Sequence, residues 1–323
     1  MCFSPLPALR LEDESVIITS HKDYIPKYIK PSSVKEFLEV PCGQCLECRL
    51  NRAREWSARC VVESKLHMNN WFLTLTYSDE FLPVINKKTG EILAHATLDY
   101  DDIRSFNNSL RKYFERRGHI GIRFFVAGEY GDQTFRPHYH YLAFNLPLTD
   151  LVFYKKSKLG DIYYNSPLLD KIWRRGFVVV GELNSKSAGY TARYCLKKCK
   201  DLYDRDKYDR LGILPEFIHC SSRPGIGREW FELNKDKLFE QGFIDVSDGS
   251  SSLRVFPGKY FKRLYKDFNL SSYNDYILTA KFKAETKLQM ELLQTDLTEV
   301  EYLAVKKANL IARTKILNER IDI

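Results

Sequence analysis

Two short aromatic-rich runs, residues 123–129 and 138–144, flank the polar stretch from Tyr130 to Arg136. This arrangement constrains the fold more than any other part of the chain. Each run has the length and composition of a strand, and the intervening segment returns the chain directly, which predicts an antiparallel hairpin. Residues 71–77 predict a further strand, ended by Asp79, Glu80 and Pro83, and residues 177–180 predict a fourth. Elsewhere the apolar spacing changes to three and four. Leu50, Ala53, Trp56 and Cys60 mark one helix; Ile103, Phe106, Leu110 and Phe114 mark a second, closed by Gly118. Ser166 is placed to cap a short helix carrying Leu169, Ile172 and Trp173, which Gly176 ends. Ser185 or Ser187 opens another helix running to about residue 200. From residue 71 the order is β-α-β-β-α-β-α. Hairpin-linked strands in that order predict an α+β fold, a central antiparallel sheet with helices on one side.

Residues 1–40 are expected to be irregular, because Pro5, Pro7, Pro26 and Pro31 interrupt any long element. Residues 201–260 read as mixed and loop-rich, with a turn at Arg223-Pro-Gly-Ile-Gly227. From about Asn274 the composition is helical, and Thr298 with Glu301 forms a capping box between two helices. No apolar run approaches the ~20 residues of a membrane span, and the first residues lack a secretory signal. A cytoplasmic location is expected, where the eight Cys serve as thiols or metal ligands rather than disulfides. The formal charge of +8 permits a polyanionic partner without requiring one.

The segment Arg136-Pro-His138-Tyr-His140-Tyr141 carries the most chemical information. Strand side chains alternate between faces, so His138 and His140 point the same way. Two such imidazoles can ligate one divalent ion without bending the backbone. Glu129, at the end of the preceding strand, comes beside them if the two strands pair. An added carboxylate suits Mg²⁺ or Mn²⁺. Tyr190 and Tyr194 lie four residues apart in the last predicted helix, so their phenols share one face. Arg193, Lys197 and Lys198 place positive charge nearby, and Arg136 adds another cation beside the histidines. A phenol of pKa about 10 is a poor nucleophile alone, and a metal and cations that neutralise phosphate charge lower the barrier. The same stripe without a metal would be core or surface hydrogen bonding.

Cys42, Cys45 and Cys48 put three thiols within one turn and a half, the start of a zinc knuckle. Cys2 is the first candidate for a fourth ligand, with Cys60, Cys199, Cys220 and His219 as rivals. The basic runs 49–59, 111–117, 197–200 and 259–266 contain or adjoin aromatics and suit phosphate and base contacts, although such runs also occur as solvated helix faces. No Gly-x-x-x-x-Gly-Lys-Ser/Thr loop is present, which argues against an ATP-driven helicase.

Three segments occur in order: Phe72-Leu-Thr-Leu-Thr-Tyr77, Arg136-Pro-His-Tyr-His140 and Tyr190-x-x-x-Tyr194. Together they resemble the three motifs of the HUH rolling-circle replication initiators. The chain is most similar to the replication proteins of gokushoviruses, a branch of the Microviridae. These share the Met-Cys start, Pro41-Cys-Gly-x-Cys-x-x-Cys-Arg49, Gly128-Glu-Tyr-Gly131 and Arg223-Pro-Gly-Ile-Gly227. The resemblance covers roughly residues 1–235. It implies the HUH endonuclease fold, a metal on His138 and His140 with Glu129 as a weaker third ligand, and Tyr190 and Tyr194 as nucleophiles. It further implies nicking of single-stranded or locally melted origin DNA in the host bacterial cytoplasm, with a host helicase and DNA polymerase as partners. The organisation expected is residues 1–62 as an irregular segment with the Cys cluster and a basic helix, 63–235 as the endonuclease domain, and 236–323 as a basic, helical region. Two rival functions remain open at this point: an HUH transposase or relaxase, and a non-catalytic nucleic-acid-binding protein with a zinc site. A metal hydrolase using His-x-His would need more downstream ligands, and only His219 follows.

Overall fold

The computed structural model describes residues 2–87, 89–131, 134–157, 160–197, 208–246 and 254–319, without the side chains of 194–197 and 315–319. Two compact units divide the chain: Met1–Asn51 with Asn274–Ile323, and Arg52–Tyr273.

In the first unit, strands β1 (Leu6–Leu11), β2 (Val16–Ile18) and β3 (Val34–Val40) form an antiparallel sheet of order β2-β1-β3. The expectation of an irregular start is therefore wrong. Pro7 is tolerated inside β1 because its carbonyl accepts from Thr19 just past the end of β2. Its missing N–H would point to that same side, where the ladder has already stopped. Ala8 and Leu9 are the buried residues of this strand.

Helix α1 (Leu46–Ser64) leads into β4 (Asn70–Tyr77), helix α2 (Tyr100–Glu115), and the hairpin strands β5 (Arg123–Tyr130) and β6 (Pro137–Phe144). A second hairpin follows, β7 (Val152–Lys156) and β8 (Ile162–Asn165), then helix α3 (Pro167–Trp173), β9 (Gly176–Glu182), helix α4 (Ser185–Lys197) and β10 (Phe217–Cys220). Seven strands make one antiparallel sheet in the order β10-β5-β6-β4-β9-β8-β7. Helix α5 (Arg228–Gln241), the short pair β11 (Ile244–Asp245) and β12 (Arg254–Val255), and helix α6 (Lys259–Phe268) complete this unit. Helices α7 (Leu270–Leu292) and α8 (Glu299–Glu319) follow. Between them Thr298 and Glu301 exchange the hydrogen bonds of the expected capping box, and Lys306 pairs with Glu291 at 2.6 Å.

Helices flank both faces of the large sheet, not one. Leu73, Leu75, Tyr139, Tyr141 and Val180 point to a face covered by α2 and α3 through Ile103, Phe106, Leu169 and Trp173. Phe72, Phe125, His138 and His140 point to the other. There Trp56 of α1 meets Phe125 at 5.0 Å and α4 packs across β5 and β6. Asp99 caps α2 by accepting from Asp101, and Ser166 caps α3 by accepting from Leu169. Gly176 does not end α3 as expected. Arg174 takes the left-handed position there, with φ 59°, and Gly176 opens β9. A Cβ on Gly176 would lie 2.2 Å from the Thr76 carbonyl, so this strand start needs glycine.

A buried ionic cluster ties α1 to β5 and to the 223–227 loop. Glu63 pairs with Arg123 and accepts from the Gly227 N–H at 2.6 Å. Arg123 donates to the Pro224 carbonyl, and Arg59 donates to that of Ile226. The Arg59 guanidinium lies between the Trp56 and Tyr260 rings at 4.0 and 3.8 Å. Arg59 is thus buried, whereas the sequence placed it on a solvated basic face.

Candidate active site

Pairing of β5 with β6 sets Glu129 directly opposite His138, and Ala127 opposite His140. Cross-strand partners share a face, so one carboxylate and two imidazoles converge. His138 Nε2 lies 3.2 Å from His140 Nε2; Glu129 Oε2 lies 3.5 and 3.4 Å from the two nitrogens. Glu129 and His140 are buried and His138 is half-buried. The turn between the strands is held by Gly131 donating to Arg136 and Phe135 donating to Gly131.

The imidazoles are oriented from behind. His138 Nδ1 lies 3.2 Å from the Arg136 carbonyl, which can only accept. Nδ1 therefore carries the proton, and Nε2 turns a lone pair toward the cluster. The His140 ring stacks on Phe72 at 5.6 Å, and its Nδ1 lies 3.5 Å from Thr74 Oγ1. Phe72 and Thr74 share this face because they alternate with the buried Leu73 and Leu75. The sequence reading did not single out Thr74, although that alternation would have found it.

The donor set fits a divalent ion. Ligand atoms about 2.1 Å from a common ion stand about 3.0 to 3.4 Å apart at octahedral to tetrahedral angles. The three observed separations match that range. Imidazole nitrogen with carboxylate oxygen is a first-row divalent donor set.

Helix α4 brings Tyr190 to this cluster. Its hydroxyl lies 3.5 Å from His140 Nε2, and its ring stands edge-on to His140 at 5.0 Å and to Phe72 at 6.1 Å. Ala188, Thr191 and Ala192 are buried beneath the helix, which aims Tyr190 at the histidines. Tyr194 belongs to α4, but its side chain lies outside the described residues, as does that of Lys197. Lys198 lies outside them altogether. Arg193 is half-buried and donates to the Gly189 carbonyl. Arg136 donates to Asp79 at 2.6 Å and to the Tyr77 carbonyl at 2.7 Å.

In the other unit, Cys2, Cys42, Cys45 and Cys48 gather with all four sulfurs within 4.8 Å of one another. Of the rivals to Cys2, Cys60 and Cys220 lie outside this group, and Cys199 falls outside the described residues. Backbone N–H groups of Gln44 and Cys45 donate to Cys42 Sγ, and that of Cys42 donates to Cys2 Sγ. Burial opposes ionisation of Cys45, but N–H donors from Cys48 and Phe3 outweigh it and bring the thiol down to about 6. Burial, reinforced by Cys2 and Cys45, pushes Cys48 up to about 12. Four thiols this close repel one another once ionised, and a thiophilic dication relieves that repulsion.

The model of a family described as replication-associated protein ORF2 matches residues 70–199, a span that holds β4, the β5–β6 hairpin and α4. Over 279 residues the chain is 38% identical to replication-associated protein ORF2 of Spiroplasma virus 4, covering 85% of this chain and 83% of that protein. This chain belongs to the phage replication-associated proteins. A second relative of this replication-associated protein, VP4 of Bdellovibrio phage phiMH2K, is 32% identical over 252 residues, 78% of this chain and 75% of its own length. The replication-associated protein ORF4 of Chlamydia phage 1 is 34% identical over 170 residues, 51% of this chain and 40% of its own. No solved structure gives a significant match.

Proposed function

We propose that this protein is an HUH replication initiator that nicks the phage origin by metal-assisted tyrosine attack. The observation that carries this reading is the 3.5 Å approach of the Tyr190 hydroxyl to a two-histidine, one-carboxylate cluster. His138, His140 and Glu129 would hold Mg²⁺ or Mn²⁺. When bound, the ion neutralises charge on the scissile phosphate. Tyr190 supplies the nucleophile: its oxygen attacks phosphorus, the bond to the 3′ oxygen breaks, and the phenol proton passes to solvent while solvent protonates the leaving oxygen. The products are a 5′-phosphotyrosine and a free 3′-hydroxyl for a host polymerase to extend. Tyr194 is the second tyrosine, for cutting and rejoining the finished circle. Arg136, Arg193, Lys197 and Lys198 are proposed phosphate contacts. A host helicase would open the duplex in the bacterial cytoplasm. Among the described residues no helix is long and apolar enough to cross a membrane.

The four-thiol group is proposed as a structural zinc site, since thiolates select Zn²⁺ over Mg²⁺ or Mn²⁺. The decisive experiment incubates the full chain with a labelled origin-strand oligonucleotide and Mn²⁺, then reads a denaturing gel. A covalent protein–DNA band that requires Mn²⁺ and Tyr190 supports the reading. Release of free ends with no adduct overturns it.

A further inference from the structure

The face that carries His138 and His140 continues past β4 onto the second hairpin. Thr76 lies between His138 and Phe177, and Thr74 lies between His140 and Val179. Phe72 opposes Gly181, Gly181 opposes Tyr163, and Tyr163 opposes Lys155. These partners form rows that run from the triad toward the sheet edge on one face. The rows are open. Phe177 is 50% exposed, Thr74, Thr76, Tyr163 and Val179 are half-buried, and Lys155 is exposed. A Cβ on Gly181 would come within 3.2 Å of the Tyr163 ring and 3.5 Å of the Phe72 ring, so both rings meet over that glycine. Phe72 in turn stacks on His140. An aromatic path therefore connects the hairpin to the triad.

We propose that this open half of the sheet is a track for single-stranded DNA. Bases stack on Phe177 and Tyr163, Lys155 holds a backbone phosphate, and the strand is delivered to Tyr190. Two observations select this occupant: the face is continuous in register with the triad, and a cation stands beside the rings, as a polyanion with flat apolar bases requires. Stacking needs unpaired bases, so the ligand is a single strand. The proposal takes its direction from the nickase reading, but its residues are distinct from those of the chemistry.

The test is fluorescence anisotropy with a fluorescein-labelled strand of about twenty thymidines, since stacking tolerates any base. EDTA is present, and the full chain is used. Phe177→Ala and Tyr163→Ala are each expected to weaken binding by about five-fold or more. Lys155→Gln is expected to flatten the dependence of log affinity on log salt by about 0.7. Phe153→Ala is the control: its ring is 64% exposed on the same hairpin but faces the other side, opposite Tyr164, and it should bind as the parent does. If Tyr163→Ala melts early, Tyr163→Leu fills the space over Gly181 without an aromatic face. Parent-like binding by the Phe177 and Tyr163 variants, or equal weakening by Phe153→Ala, overturns the track. An adduct with unchanged variant binding would reject the track and keep the nickase; the expected binding pattern without an adduct would do the reverse.

Discussion

Tyr190 and Glu129 do different work at the same site, and single substitutions separate them. Tyr190→Phe removes only the hydroxyl. It is expected to lower adduct formation by at least about a thousand-fold while oligonucleotide affinity stays within about two-fold. Gel quantification and anisotropy on one preparation check both halves. Glu129→Gln keeps the volume and removes the charge, and is expected to weaken Mn²⁺ binding at least about ten-fold. Titration of the free Mn²⁺ electron-spin-resonance signal measures that, and parent-like affinity would remove Glu129 from the ligand set. The histidine pair was legible because strand side chains repeat every two residues. Glu129 was legible once the two runs were read as a hairpin. The setting of Arg136 was not, because it depends on Asp79 and the Tyr77 carbonyl, far away in sequence. The Tyr190–His140 contact joins residues fifty apart, a distance that periodicity cannot measure.

Packing between elements makes its own demands. Glu63 is buried against Arg123 and also satisfies the Gly227 N–H. Glu63→Ala would strand a buried guanidinium and free that N–H, an expected loss of about 3–5 kcal/mol, read as a lower midpoint in urea. Below the sheet, the Tyr77 hydroxyl donates to Asp102 and meets that of Tyr139 at 2.9 Å, while Tyr141 donates to Asn107. Burial raises the pKa of all three phenols, and Tyr139 and Asp102 raise that of Tyr77 further. The folded state thus holds these protons more tightly than the unfolded chain. Their contribution to stability is complete below the free-phenol value of about 10 and declines as pH rises beyond it. Urea midpoints across that range, followed with tyrosinate absorbance, should fall together. Strands β4, β5, β6 and β9 and helix α2 were legible because each buries a regular face. The β7–β8 hairpin was not: Val152, Phe153, Tyr154, Lys155 and Lys156 are all exposed, so no buried face leaves an alternation to read. The N-terminal strands were hidden by prolines whose missing N–H falls where the ladder has ended.

At the scale of the whole chain, the two candidate metal groups sit in separate units and ask for different ions. Purified protein is expected to carry about one zinc per chain, retained through mild EDTA treatment and lost in Cys45→Ser. Elemental analysis checks this, and an unchanged zinc content in that variant would dismiss the site. Mn²⁺ affinity at the triad should be untouched by the same substitution. The triad also has an unusual origin in time. All three of its donors belong to one tight hairpin, residues 129–140, while Tyr190 arrives fifty residues later along the chain. Contacts of such short range close fast. During synthesis the cation-binding half can assemble while the nucleophile is still inside the ribosome, so a nascent chain is loaded before it is armed.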